Sequence, residues 1–196
     1  LDFKDDPLGH EAKYRNARIS YFTGDFTWAQ TQLDALKAST SKLISNDAIE
    51  LSLLITDNFN LDTIFEPMEM YARADLLIMQ KKNRAAILTL DTLLTTWPGH
   101  ALEDEILILK GDLAMLDGNV ESALKFYSEV AELHFDDITG DDACFKLAEI
   151  YDYELNDPEK AEDLYEKIIF EYSGSLYVVK ARKRYREINE EDIIEQ

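Results

Sequence analysis

One stretch of the sequence gathers enough acidic side chains to suggest metal chemistry, namely DDITGDD at residues 136–142. Its four carboxylates surround a glycine, and Ca²⁺ prefers loops that are rich in oxygen ligands. The stretch lacks the alternating acidic order and the closing glutamate that place seven oxygens around one ion. The favoured alternative is a solvated turn in which Asp141 caps the next helix. No metal site is therefore predicted.

Catalytic signatures are missing from the sequence. It contains no HExxH, no glycine-rich phosphate loop, no GxSxG and no cysteine pair with metal spacing. His10, His100 and His134 are scattered and are typical of surface or loop positions. Close pairs of carboxylates carry no information in a chain with 40 acidic residues, because some pair is close on any helix. The sequence predicts a protein that is not an enzyme and that needs no cofactor.

The composition limits the partners. The chain of 196 residues has 20 Lys and Arg against 40 Asp and Glu, a formal net charge of −20. Such a field repels phosphate backbones and anionic lipid, so no nucleic acid partner is expected. No run approaches 18 apolar residues, so no membrane span is predicted. Five bases within residues 180–186 follow an acidic region at 136–171; they could bind an acidic partner or a phosphate, but compensation of that region is favoured.

The cellular compartment stays open. Cys144 is the only cysteine, which excludes an internal disulfide, and its position predicts a small buried thiol. Leu1 is not an initiator Met, so we expect a fragment or a processed form. Export to the periplasm is slightly favoured over the cytoplasm, since any signal peptide would lie outside this chain.

Small and large residues recur at an interval of 37 residues, with one residue inserted in the last repeat. A self-similar period of this length is typical of a helical solenoid. A small residue on each of two neighbouring helices lets their backbones approach to roughly 8 to 10 Å, and large residues fill the space beside them. The recurring residues are Ala74, Gly111 and Ala148; Leu77, Ala114 and Tyr151; and Ala86, Ala123 and Ala161.

These residues must be carried by helices. Gly and Pro are few, the Pro98-Gly99 and Ser173-Gly174 pairs fall between apolar periodic segments, and no window alternates convincingly between apolar and polar residues. The sequence therefore predicts an all-α chain of about ten helices. We expect them at about residues 10–22, 25–37, 48–56, 61–79, 83–96, 101–116, 119–133, 140–154, 158–171 and 175–188.

The pattern resembles that of the tetratricopeptide repeat family. The middle unit has small residues at Gly111 and Ala123, a turn glycine at Gly118 and an aromatic residue at Tyr127. The unit before it has Lys81 where the family prefers glycine. The resemblance implies a bacterial protein of that family and a single α-α superhelical solenoid over 1–196. Its parts are degenerate units at 10–66, three clear repeats at 67–171, a capping helix at 175–188 and an acidic tail at 189–196.

The resemblance also implies a concave groove on the first helix of each repeat. Asp75, Asp112 and Glu149 occupy equivalent positions there, with Met and aromatic side chains around them. Either these residues bind a peptide, or the apolar ones are packing core and the acids a solvated ridge; the two interpretations have equal weight. The predicted groove comprises Met68, Tyr71, Asp75, Ile78, Met79, Glu105, Ile108, Asp112, Met115, Phe145, Glu149, Asp152 and Tyr153.

The predicted function is a non-catalytic scaffold for protein interaction. Its groove would take a peptide or helix with basic and apolar residues. The alternative is a structural spacer or assembly module within a larger, exported bacterial complex. Two packing contacts are also expected: Gly111 should face Ala123, and the last helix should cover the final repeat through Leu176, Val179, Tyr185 and Ile188.

Overall fold

The computed structural model describes residues 7–37, 42–59, 64–133 and 139–195, and side chains within these ranges except at 7, 42–43 and 191–195. The described residues form α-helices and no strand, which confirms the all-α prediction. The helices are α1 (Pro7–Phe22), α2 (Phe26–Lys37), α3 (Lys42–Phe59), α4 (Glu66–Met79), α5 (Asn83–Thr96), α6 (Glu103–Leu116), α7 (Val120–Leu133), α8 (Gly140–Glu149), α9 (Pro158–Phe170) and α10 (Val178–Glu195).

The chain divides into two compact units, Leu1–Glu103 and Asp104–Gln196. In the first unit α1 packs on α2, α2 on α3, and α4 on α5. In the second unit α7 packs on α8, α8 on α9, and α9 on α10. Packing of consecutive helices is the arrangement expected of an α-α superhelical repeat. The partition into one solenoid with the boundaries given above stays a prediction.

The alanines that recur at two of the three repeated positions are buried between helices, whereas Leu77, Ala114 and Tyr151 are partly buried. Ala74, Ala86, Ala123, Ala148 and Ala161 are completely buried. The large residues that follow on the second helix of each pair, Leu90, Tyr127 and Tyr165, are at most 2% exposed. The fainter N-terminal unit follows the same rule, since Ala17, Ala29 and Leu33 are inaccessible. The period therefore marks the contact between paired helices.

The two helices of each pair are joined by a turn with one residue in the left-handed conformation. This residue is Gly24, with φ 79°, between α1 and α2, and Gly118, with φ 72°, between α6 and α7. Lys81 between α4 and α5 has φ 60°, and Asn156 before α9 has φ 52°. The chain thus keeps the backbone geometry of a glycine turn at Lys81, where the side chain makes that geometry costly.

Side-chain caps begin the second helix of three pairs. Asp25 Oδ1 accepts a hydrogen bond from the N–H of Trp28 at 3.1 Å at the start of α2. Asn119 Oδ1 accepts a hydrogen bond from the N–H of Ser122 at 3.1 Å. Asp157 Oδ1 accepts one from the N–H of Lys160 at 3.3 Å, with Pro158 in the first turn. Each cap satisfies one backbone donor that the helix leaves unpaired.

A π-helical turn, Ile150–Glu154, follows α8 and absorbs the residue inserted in the last repeat. The left-handed residues Gly118 and Asn156 are 38 positions apart, one more than the period. The N–H of Leu155 donates to the carbonyl of Ile150 at 3.0 Å, the i to i+5 bond that accommodates an extra residue in one wide turn. Helix α9 therefore keeps its register against α8.

Gly111 faces α7 as predicted, but its contact is Tyr127 rather than Ala123. A Cβ atom placed on Gly111 would lie 2.2 Å from Cε1 of the Tyr127 ring. The prediction chose Ala123 because two small residues allow the closest approach of helices. Here the aromatic ring itself occupies the space that the glycine leaves.

The packing face of the last helix agrees with the predicted one at Tyr185 and Ile188 and differs from it at Leu176 and Val179. Leu176 and Val179 are 75% and 78% exposed, whereas Val178, Ala181 and Ile188 are buried. These three residues join the cluster formed by α8 and α9. The helix begins at Val178 and continues to Glu195, instead of spanning 175–188. The later start places Leu176 before the helix, so the apolar stripe that packs is the one through Ala181.

Candidate functional site

The second unit has two neighbouring open grooves on the face that α6, α8 and α10 share. The first groove has a volume of about 380 Å³ and the second of about 180 Å³. Glu149 and Tyr153 line both of them. Since these two residues are four apart on the helix formed by α8 and the π turn, they make one ridge between the grooves. We call them groove 1, groove 2 and the ridge.

Groove 1 is an acidic surface with an apolar floor. Its carboxylates belong to Asp112, Glu149 and Glu154, and its one cation is Lys146. The remaining lining residues are Met115, Tyr127, Ile150 and Tyr153. Methionine and tyrosine side chains adapt to apolar groups of different shapes, so this lining suits a peptide.

Asp112 is engaged within groove 1. Its Oδ1 atom accepts hydrogen bonds from the Tyr127 hydroxyl and from the Lys146 Nζ, both at 2.6 Å. Burial and then the hydrogen bond to Asp112 raise the pKa of Tyr127. Asp112 thus ties α6 to α7 and α8, and its first role is to hold the floor of the groove together.

Glu149 is exposed and, among the described residues, makes no hydrogen bond or ion pair. Burial of part of the side chain raises its pKa, while Lys180 and Lys146 act in the opposite direction. Glu149 therefore stands between two ammonium groups, one from each groove. A ligand on this face can reach its carboxylate and that of Glu154, which is also exposed.

Groove 2 is basic. Lys180, Lys183 and Arg184 of α10 line it together with Glu187. The floor is aromatic, since Phe145 and Tyr165 are buried beneath it and Tyr153 of the ridge is 64% exposed. The Lys180 Nζ lies 5.5 Å from the centre of the Phe145 ring, a distance that favours a cation–π contact.

An ion pair below groove 2 fixes α10 in place. Arg184 Nε and Nη2 donate to the two carboxylate oxygens of Asp152 at 2.7 and 2.9 Å. Asp152 is 7% exposed and also accepts a hydrogen bond from the Tyr165 hydroxyl at 3.2 Å. The bidentate geometry gives the pair orientation as well as energy. A ligand on the surface of this unit does not reach the Asp152 carboxylate.

A third acid–tyrosine pair locks the start of α8 to the segment before α10. The Tyr177 hydroxyl donates to Asp142, and the Tyr177 ring stacks on Phe145 with centres 4.3 Å apart. Burial is the main cause that raises the pKa of Asp142. Phe145 of α8, one of the predicted groove residues, is therefore packed against the segment that leads into α10.

The predicted groove residues of the first unit are packed to different degrees. Met68 and Tyr71 of α4 are buried, Asp75 and Ile78 are half-buried, and Met79 is 52% exposed. Burial raises the pKa of Asp75, and Arg18 of α1 opposes that shift. Asp75 thus faces α1 within the first unit.

Of the thirteen predicted residues, five line the two grooves. They are Asp112, Met115, Phe145, Glu149 and Tyr153. Glu105 and Ile108 are half-buried on α6, and Ile108 packs against the core around Tyr127 and Leu147. The assignment of the whole set to a ligand stays a prediction.

The prediction missed the lysines of the site. Lys146 lies one residue outside the positions that the family pattern assigns to the groove, and Lys180 belongs to the helix after the last repeat. The signal for Lys180 was present in the basic segment at 180–186, which was interpreted mainly as compensation. Charge compensation explains Arg184, which pairs with Asp152. It does not explain Lys180, which lines groove 2.

In the acidic stretch at 136–142, Asp136 and Asp137 lie outside the described residues, and so does His134. Helix α8 has Thr139 as its N-cap residue, so Asp141 lies in the first turn and is not the cap. Thr139 donates its hydroxyl to Asp104 at 2.5 Å. The described ranges hold no group of three or more metal-ligating side chains. Within them, no helix is both long and apolar enough to cross a bilayer.

Cys144 is completely buried in the cluster of α8, α9 and α10, as its sequence position indicated. Burial raises the pKa of its thiol. The thiolate form is disfavoured there, so this cysteine acts as a small core residue.

Comparison with known families identifies the repeat on which this site is built. The sequence model of the tetratricopeptide repeat matches residues 142–175, which begin in α8 and end just before α10. No curated protein matches the chain significantly. The matched segment contains the ridge and the π turn, and its helix pair has the buried small residues described above. Residues 142–175 therefore form a tetratricopeptide repeat within the chain.

Proposed function

We propose that the chain binds a peptide segment of a partner protein across groove 1, with basic side chains toward its carboxylates and apolar side chains on its floor. Tetratricopeptide repeats act in general as modules of protein–protein interaction and are typically non-catalytic. The observation that carries the finer proposal is the open groove in which Glu149 and Glu154 stand beside Met115 and Tyr153.

The charges of groove 1 favour a basic ligand. Lys146 already bonds to Asp112, so the carboxylates of Glu149 and Glu154 are left to meet a cation from the partner. Exposed ion pairs add only about 0.2 to 1 kcal/mol each. The apolar floor must therefore supply most of the affinity, while the acids set the association rate and the choice of partner.

Selection of peptides tests this proposal. Random dodecapeptides displayed on phage are selected on the immobilised chain, and enriched sequences are synthesised and titrated by calorimetry. We expect peptides with apolar and basic residues whose affinity falls about tenfold in Glu149→Lys/Glu154→Lys. The control, Asp163→Lys/Glu166→Lys, makes the same charge change at exposed acids of α9 outside both grooves and should bind normally.

Two results would contradict the proposal. One is a selection that enriches no sequence, and the other is equal binding to the groove variant and the control. The alternative function, a spacer that sets distance within a larger assembly, then gains support, because a spacer uses its ends and leaves the groove empty. Circular dichroism of both variants shows whether their helices are intact.

A further inference from the structure

We propose that groove 2 is a second subsite of the same interface and takes an acidic side chain of the bound peptide. The partner segment is then dipolar: a basic residue lies in groove 1, an apolar residue crosses the ridge, and an aspartate or glutamate lies beside Lys180 and Lys183. This inference rests on the proposed function and specifies the class of ligand.

The basic side chains of groove 2 differ in how firmly they are paired with acids. Arg184 is held by Asp152 from below and also contacts Glu187 at 3.3 Å. The contact between Lys183 and Glu187 is longer, at 3.6 Å, and the Lys183 side chain is 80% exposed. Lys180 is exposed and, among the described residues, has no ion pair within bonding distance. Two ammonium groups thus face solvent above an aromatic floor.

Packing and ring contacts hold α10 and Lys180 in position. The Asp152–Arg184 pair fixes α10 to the π turn, and the buried residues Val178, Ala181 and Ile188 pack it against α8 and α9. Lys180 is held over the Phe145 ring, and Phe145 is itself stacked on Tyr177. A positioned cation beside an apolar surface loses less freedom when it binds an anion than a lysine on an open helix does.

The two grooves adjoin each other along the ridge. Glu149 and Tyr153 line both, so a chain that leaves groove 1 over the Tyr153 ring enters groove 2 directly. Neighbouring helix axes are roughly 8 to 10 Å apart, and an extended peptide advances about 3.3 Å per residue. The basic and acidic residues of the ligand are therefore expected roughly three positions apart.

The acidic field of the chain makes this subsite selective. With a net charge of −20, the protein repels most anionic peptides at long range. An acidic residue gains from Lys180 and Lys183 only after a basic residue has brought the segment to groove 1. A purely acidic peptide should bind poorly, and a dipolar one should bind in a single orientation.

The peptides selected on the unaltered chain supply the test. We expect an acidic residue at a fixed distance from the basic one, and loss of affinity of about three- to tenfold in Lys180→Gln/Lys183→Gln. The control is Arg182→Gln/Arg186→Gln, which removes two exposed bases of the same helix that do not line the groove and should bind normally. A peptide in which Gln replaces the acidic residue should lose a similar amount of affinity for the unaltered chain. The same replacement should cost little further affinity when the lysine variant is used.

The outcomes separate this inference from the function on which it rests. Two results would overturn the second subsite and leave groove 1 intact. In the first, the peptides require Glu149 and Glu154 but carry no preferred acidic residue. In the second, they bind the lysine variant and its control equally. Peptides whose acid reaches the lysines support the second subsite. A selection without any enriched sequence overturns both proposals.

Discussion

Replacing Gly111 by alanine should destabilise the second unit through a clash with Tyr127. The added Cβ would lie 2.2 Å from Cε1 and 2.7 Å from Cδ1 and Cζ of the ring. Carbon atoms pack at about 3.5 Å or more, so the ring or its helix must move by about 1.3 Å. The ring is 2% exposed and its hydroxyl is bonded to Asp112, so a movement of the ring disturbs its packing or that hydrogen bond.

The expected cost combines three effects. Overpacking of a core costs about 1 to 3 kcal/mol. If the ring leaves Asp112, a hydrogen bond to a charged group is also lost, which costs about 1.5 to 3 kcal/mol. Alanine favours a helix over glycine by about 1 kcal/mol, which acts in the opposite direction. The free energy of unfolding should therefore fall by between about 1.5 and 5 kcal/mol.

Urea unfolding followed by circular dichroism measures this change. The control is Gly174→Ala, since a Cβ at Gly174 meets nothing within 4 Å and the change should stay within about 0.5 kcal/mol. A second background, Tyr127→Val, removes the ring atoms that cause the clash. There Gly111→Ala should be neutral or slightly stabilising, because only helix propensity is left. An unchanged or raised stability of Gly111→Ala alone would refute the contact on which this reasoning depends.

Three further changes probe other parts of the chain. Lys81→Gly should raise the unfolding free energy by about 0.5 to 1 kcal/mol in urea titrations, because Lys81 has φ 60°; a loss of stability would show that the turn is not strained. Asp152→Asn should cost about 2 to 4 kcal/mol and speed hydrogen exchange in α10, since it removes the buried carboxylate that binds Arg184 and leaves only the contact with Glu187, whereas Asp163→Asn on the surface of α9 should change neither quantity. Burial raises the pKa of Asp75 in the folded state, so the folded chain binds the Asp75 proton more tightly than the unfolded chain does. The stability that this proton contributes is therefore lost as pH rises from about 4 through the raised pKa. Asp75→Asn should therefore gain stability relative to the unaltered chain as pH rises over that range, and a difference that shrinks with pH would contradict the burial of this carboxyl.

The sequence by itself determined the helical fold and the small residues that are buried between the helices of each repeat. A period of 37 residues identifies positions that must hold small residues, since a bulky side chain at Ala74, Ala123 or Ala148 would separate the helices. The turn at Lys81 was predictable for the same reason: the connection repeats with the period, and the left-handed residue follows from the geometry even without a glycine. These features depend on spacing along the chain, which the sequence displays directly.

Tertiary structure decided how each helix is rotated and which acids are engaged. Periodicity could not show that the Tyr127 ring fills the space beside Gly111, nor that α10 packs through Ala181 instead of Val179. An acid column in the sequence looks uniform, yet Asp112 is held by Tyr127 and Lys146 while Glu149 is open. The difference comes from residues about 15 to 34 positions away in the chain. The pairing of a carboxylate is a property of its spatial neighbours, and only folding brings those neighbours together.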